Sequence, residues 1–250
     1  MRRIFFVGSL AVFAGLVGST ATQAADDASS LIDKGIAALG GEAKLAKATA
    51  LKWKAVGKLI VEGNDNDISL SYTTQGLDHL RLEFEGDING NEVKGATVLD
   101  GNKGWRTFGE TNVLDADAVD NEKRNAYLQI VPIMLVPLKD KGFKAEAGGD
   151  EKVGDKSANV VKVTGPDGKT FKLMFDKESD LLVRMTATVV GFGGDDYNQV
   201  TTYGDYKDFG GIKKATKVES TRDGKPFFKL TLKEFQVVDK LPADTFAEPK

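Results

Sequence analysis

The chain contains no cysteine and only one histidine. Without thiols there is no disulfide framework, no thiolate metal site and no lipid-modified cysteine. With His79 as the only imidazole, a zinc site would have to be assembled from Asp and Glu, a weak and atypical ligand set. No Ser, Asp and oxyanion arrangement is identifiable around His79, so it reads as a surface or structural residue rather than a general base. Basic blocks are missing as well. The 34 Lys and Arg residues are interspersed among 37 Asp and Glu, for a formal net charge of -3. That pattern excludes the concentrated positive surface a nucleic acid demands, and a broad electrostatic grip on anionic headgroups. Beyond the N-terminus, no apolar run is long enough to span a bilayer.

The N-terminus is built differently. Arg2 and Arg3 precede an apolar run from Ile4 to Val17, and small and polar residues follow up to Thr22-Gln23-Ala24. A basic head, an apolar middle and a small-residue exit mark a secretory signal. The run is short for a membrane span, and Asp26 and Asp27 follow it instead of a basic stop signal. The expectation is a signal peptide over residues 1–24 and one exported domain over residues 25–250. Loss of Arg2 and Arg3 makes that domain more acidic than the full chain. It is long enough to bury a hydrophobic core without disulfides.

Patterning after the leader starts helical. Leu31, Ile32, Ile36 and Leu39 recur at three- and four-residue steps, with Ser29 or Ser30 as the expected cap. Gly40-Gly41 interrupts, and Glu42 to Ala48 predicts a further short helical piece. From Leu51 the period becomes two. Trp53, Ala55, Gly57, Leu59 and Val61 oppose Lys52, Lys54 and Lys58, as a half-buried strand requires. Strands over Ile68–Thr73, 79–85 and 93–99 follow, and Asp100-Gly101-Asn102 signals a hairpin before Trp105 and Phe108. A helical insert capped at Asp117 carries Val119, Arg124, Tyr127, Leu128 and Val131. Pro132 and Pro137 predict a broken helix or a lid-like crossing there. Within it, Tyr127, Ile130, Ile133 and Met134 are candidate gate residues. The second half repeats the strand grammar over 143–147, 158–163, 170–175, 181–189, 200–206, 213–220 and 226–238. Roughly ten antiparallel strands with one helical interruption predict a mainly β fold with α: a strongly curved sheet forming an incomplete barrel, covered by a few helices.

Catalytic chemistry is harder to find. Asp65 and Asp67 lie in a turn, Asp115, Asp117 and Asp120 surround a helix start, and Asp195-Asp196 follow glycines. Paired carboxylates must face each other across a cleft at a set separation, whereas caps and turns use the same residues routinely. Gly191, Gly193 and Gly194 connect strands rather than a strand to a helix, so no dinucleotide or nucleotide fingerprint arises. Asp100-Gly101-Asn102 is too short for a calcium loop. The sequence thus predicts no enzyme, cofactor or metal.

The apolar residues are in surplus. Leu70, Tyr72, Leu82, Phe84, Trp105, Phe171, Leu173, Phe175, Leu181, Val183 and Met185 supply more surface than a few helices cover. A sheet that curls without closing would offer them to an acyl chain or apolar peptide.

Two stretches carry a family resemblance. They are Phe171-Lys172-Leu173-Met174-Phe175-Asp176-Lys177-Glu178-Ser179-Asp180-Leu181-Leu182-Val183-Arg184 and Tyr203-Gly204-Asp205-Tyr206-Lys207-Asp208-Phe209-Gly210-Gly211-Ile212-Lys213-Lys214-Ala215-Thr216-Lys217-Val218. With the export signal, the opening helix and the succession of hairpins, the chain resembles the periplasmic outer-membrane lipoprotein-sorting proteins and their lipid-binding relatives. The resemblance implies a half-closed barrel with helices over its open side, binding acyl chains in the hollow. It also implies the periplasm of a diderm bacterium, and an acyl lipid or lipid-modified protein as cargo. Dedicated carriers of this kind use an inward arginine beside the cavity, which the motifs leave unassigned among Arg81, Arg106 and other positions. Two alternatives stay open: an envelope structural module with a protein partner, and a carboxylate-dependent hydrolase.

Overall fold

The computed structural model describes residues 27–191 and 193–249, and the expected signal peptide lies outside them. Its centre is one antiparallel sheet of 13 strands, not closed into a barrel. The first meander comprises β1 (Ala50–Val61), β2 (Asn64–Gln75), β3 (His79–Ile88), β4 (Asn91–Asp100), β5 (Lys103–Phe108) and β6 (Glu110–Val113). The second comprises β7 (Lys144–Val153), β8 (Lys156–Thr164), β9 (Thr170–Asp176), β10 (Leu182–Val190), β11 (Asp196–Phe209), β12 (Ile212–Arg222) and β13 (Lys225–Val237). Every neighbour is a hairpin partner except β1 and β13, whose pairing fuses the two meanders. The free edges are β6 and β7.

Helix α3 (Ala116–Met134) links those two edges, while α1 (Ala28–Leu39) and the short α2 (Glu42–Leu45) precede the sheet. Both long helices pack on the sheet's inner face. Helix α3 crosses from β4 and β5 to β10, and α1 lies against β7, β8 and β12. The expected incomplete barrel with covering helices is what the chain forms.

Local differences from the sequence expectation have simple causes. The cap of α1 is Asp27, whose carboxylate accepts from the Ser30 amide at 2.7 Å, rather than Ser29 or Ser30. Asp115, not Asp117, caps α3 by accepting from Ala118 N at 2.9 Å. Helix α3 is also unbroken at Pro132. That proline falls in the last turn, where only one hydrogen bond is lost, and Leu135 ends the helix in a left-handed conformation at φ 55°. Strands β2 and β11 run through polar residues that alternation alone reads as turns, because a paired neighbour satisfies their backbone.

The turn end of β1–β4 is held by buried Asn66. Its amide nitrogen donates to Leu59 O at 3.2 Å and Asn64 O at 2.8 Å, and its oxygen accepts from Asn89 N at 2.7 Å. At the other end of the chain, Phe246 is buried beside His79, with ring centroids 5.4 Å apart, as the tail's apolar residue suggests.

Candidate functional site

Strand register sorts the expected cavity residues onto faces. On the inner face Trp53, Tyr72, Leu82, Thr97 and Arg106 form one row across β1–β5. The next row is Ala55, Leu70, Phe84 and Gly95. Phe84 stacks with Phe108 at 6.3 Å directly over Gly95, where a Cβ would come within 2.6 Å of the Phe84 ring. A Cβ would also come within 2.4 Å of Thr107 O, so both the neighbouring strand and the Phe84 ring require glycine there.

The set then divides in two. Phe171, Leu173, Phe175 and Met185 lie beneath the helices in the main core, all at most 5% exposed. Packing there is tight: a Cβ on Gly35 of α1 would sit 2.8 Å from both Leu135 and Phe175. These side chains are sealed between the sheet and the helices. Leu70, Tyr72 and Leu82 lie in or against the same core on the first meander, but Leu70, Leu82 and Phe84 remain half-buried. Leu181 packs at the core's margin.

Trp105 and Val183 point the other way. Trp105 pairs with Val98 on the outer face, one residue out of step with inward Arg106. Val183 joins a small outer cluster with Val160 and Met174, since a bulge between Leu182 and Arg184 shifts the register. A single-residue step reverses the facing of every strand side chain, so bulges defeat simple alternation.

The four expected gate residues, Tyr127, Ile130, Ile133 and Met134, are 2–6% exposed within the main core. Tyr127 donates to Asp167 at 2.9 Å and contacts the Arg124 guanidinium. Burial raises the Tyr127 phenol well above its ordinary range, so it stays a neutral donor.

What the helices leave uncovered is a strip on the inner face of β1, β2, β3 and β13. Along β1 inward residues grade from Leu51 at 2% and Trp53 at 6% to half-buried Leu59. Along β3 they grade from Leu80 at 3% to half-buried Leu82 and Phe84. Leu230 and Leu232 of β13, in register with Gly57 and Ala55, continue it. An open groove of about 360 Å³ lies at the far end of β1–β3, lined by residues 56–58, 67–69 and 85–87.

Three polar groups stand at the packed end of this strip. Arg106 pairs with Glu122 of α3 at 2.6 Å, and Glu122 is 8% exposed. Arg81, by contrast, faces outward to Glu83 and to Thr245 O. The third is Lys214 of β12, whose Nζ lies 4.8 Å from the centroid of Trp53 and 5.5 Å from that of Phe235. Burial pushes its ammonium down to about 7. Sequence reading passed over Lys214 because it sits in a Lys213-Lys214 pair. The usable signal is its place in the alternating series Ile212, Lys214, Thr216 and Val218. Among the described residues no cluster of His, Cys, Asp and Glu could hold a metal ion, and no helix is long and apolar enough to cross a membrane.

No protein-family model matches the chain, and no curated protein matches it. Solved structures do share its architecture. A LolA superfamily protein from Nitrosomonas europaea superposes with a TM-score of 0.58 at 11% identity, covering 90% of this chain and 99% of that one. A DUF1329 family protein from Desulfovibrio piger gives 0.55 at 11% identity, over 88% and 97%. A structure described as an outer membrane lipoprotein-sorting protein domain, from Vibrio parahaemolyticus, gives 0.52 at 11% identity, over 86% and 97%. The fold is LolA-like.

Proposed function

We propose that the protein binds an acyl lipid, or the acyl chains of a lipid-modified protein, along the uncovered inner strip, with no covalent step. The observation that carries this reading is the gradient of burial along β1–β3. The same face that is sealed under α1 and α3 at one end presents half-buried Leu59, Leu70, Leu82 and Phe84 at the other. Each methylene removed from water there contributes about 0.8 kcal/mol, so a long chain needs no other driving force. A LolA-like sheet that stays unclosed supplies the entrance.

The covered half does not take part in this reading. Opening a chamber under α3 would expose Leu135 and Val131, both at 0%, and would break the polar contacts of Arg124. We place the acyl chain on the strip and leave α3 as a fixed wall. The export signal and the fold together support a periplasmic setting, with sorting or transfer of lipid as the role.

Native mass spectrometry of the gently purified protein, followed by organic extraction, tests the reading. A stoichiometric lipid that leaves on extraction is the expected result. Protein that purifies bare and gains no mass from phospholipid or fatty acid would overturn it.

A further inference from the structure

Lys214 is 8% exposed, yet no carboxylate lies within ion-pair distance and no hydrogen bond holds its ammonium among the described residues. The contrast with the other buried cation is clear. Arg124 is spent on Asp167, Tyr127 and the carbonyls of Thr188 and Thr170. Lys214 instead has ring faces. Trp53 lies under it at 4.8 Å, itself stacked on Tyr72 at 4.6 Å and 10°, and Phe235 lies at 5.5 Å, braced edge-on by Phe209. Cation–π attraction offsets part of the desolvation and fixes the amine's place, but consumes none of its three N–H donors.

A buried ammonium that only filled space would be bettered by Met or Leu, which carry no desolvation cost. Its position points to use. Trp53 and Phe235 form the last fully buried pair on the inner faces of β1 and β13, and the next residues on that face, Ala55 and Leu232, begin the strip. The donors therefore stand where the head of a chain lying on the strip would end.

We propose that Lys214 is an anion-recognition residue, taking the carboxylate or phosphate of an amphiphile whose acyl chain occupies the strip. This rests on the acyl-binding reading above. A protonated lysine meeting an oxyanion between the ring faces of Trp53 and Phe235 makes a charge-assisted contact stronger than its surface counterpart. Because the amine loses its proton near neutrality when empty, anion binding is coupled to proton uptake and tightens as pH falls through about 7. Neighbouring groups do not supply that dependence. Burial raises the phenols of Tyr203 and Tyr206 on β11 and of Tyr72 on β2 far above neutrality. Lys207 lies opposite Lys214 in register, Lys44 lies against Gly211, and Glu234 on β13 is paired with Lys54.

The test is calorimetric titration of the wild type, Lys214→Arg and Lys214→Met with oleate, oleyl alcohol, and acetate or inorganic phosphate alone, at pH 6 and pH 9. Circular dichroism checks the fold of each variant. Expected is at least tenfold tighter binding of oleate than of the alcohol at pH 6, shrinking at pH 9. Lys214→Met should bind the two alike, and Lys214→Arg should keep the preference while losing its pH dependence. Oleate binding unchanged by Lys214→Met, with the same pH profile, overturns the proposal but leaves acyl binding standing. Failure of both oleate and the alcohol overturns the acyl reading beneath it. Lysine-dependent binding of acetate or phosphate with no gain from an acyl chain overturns the amphiphile assignment in favour of a small-anion site.

Discussion

Arg124 of α3 and Asp167 in the β8–β9 turn are joined at 2.9 Å, with the arginine only 2% exposed and the aspartate about a quarter exposed. The guanidinium also donates to Thr188 O at 2.9 Å and Thr170 O at 3.3 Å, while Tyr127 donates to the same carboxylate. One side chain thus ties the helix to β9, β10 and a turn. The segment whose apolar content and prolines suggest mobility is thus tied to the sheet through Arg124 and Tyr127.

Asp167→Ala should destabilise the protein by roughly 3 kcal/mol, since it strands a buried guanidinium without its counter-charge. Urea denaturation measures this directly. A loss below about 1 kcal/mol would mean that water replaces the carboxylate and that α3 is not locked by this pair.

Lys214 makes stability depend on pH with a definite sign. Its folded value of about 7 lies below the ordinary 10.5, so between those limits the unfolded chain holds more protons than the native one. Stability from this group is therefore fully present above 10.5 and is lost as pH falls towards 7. Lys214→Met removes the dependence and should stabilise the protein at pH 7, by on the order of 4 kcal/mol at full extent. The gain should shrink by pH 9.5, and ionisation of unfolded tyrosines, common to both proteins, cancels in the comparison. Denaturation midpoints at pH 6, 7.5 and 9.5 decide it, and a Met variant less stable than wild type at pH 6 would contradict the sign.

The strands were largely legible because alternation is a local property. Trp53, Ala55 and Gly57 against Lys52, Lys54 and Lys58 states both the strand and its inner face. Which inner residues are sealed was not legible, because Leu82 and Leu173 look alike in sequence and differ only in whether α1 or α3 lies above them. Trp105 and Val183 read as inward for related reasons. The first follows a tight turn, the second a bulge, and each displaces the count by one. Lys214 was hidden for a physical cause: lysine is almost always exposed, so its burial is a tertiary fact.

Asn66→Ala should cost about 1–3 kcal/mol, as the amide of Asn89 and two carbonyls lose their partner at the end of the strip. Asn66→Asp should be no milder, because it keeps the acceptor for Asn89 N but loses both donated bonds. Hydrogen exchange at the Asn89 amide reports the local effect. Unchanged protection there in Asn66→Ala would show that the two turns are held together by other means.

The last prediction separates the two faces of one sheet. Leu82 and Trp105 were equally plausible cargo contacts by sequence, yet Leu82 shares the inner row with Tyr72 and Arg106, whereas Trp105 lies outside with Val98. A Gln at position 82 puts an amide against any chain on the strip, where it must give up water without a new partner. Leu82→Gln should weaken oleate binding at least tenfold, which corresponds to about 1.4 kcal/mol. Trp105→Gln removes more apolar surface, so it should lower stability at least as much while leaving affinity within about threefold, because no bound chain reaches the outer face. Fluorescence displacement on both variants, with melting curves alongside, distinguishes lost binding from lost folding. If Trp105→Gln is the one that abolishes binding, the cargo lies on the convex side, and the inner strip is only the frayed margin of the core.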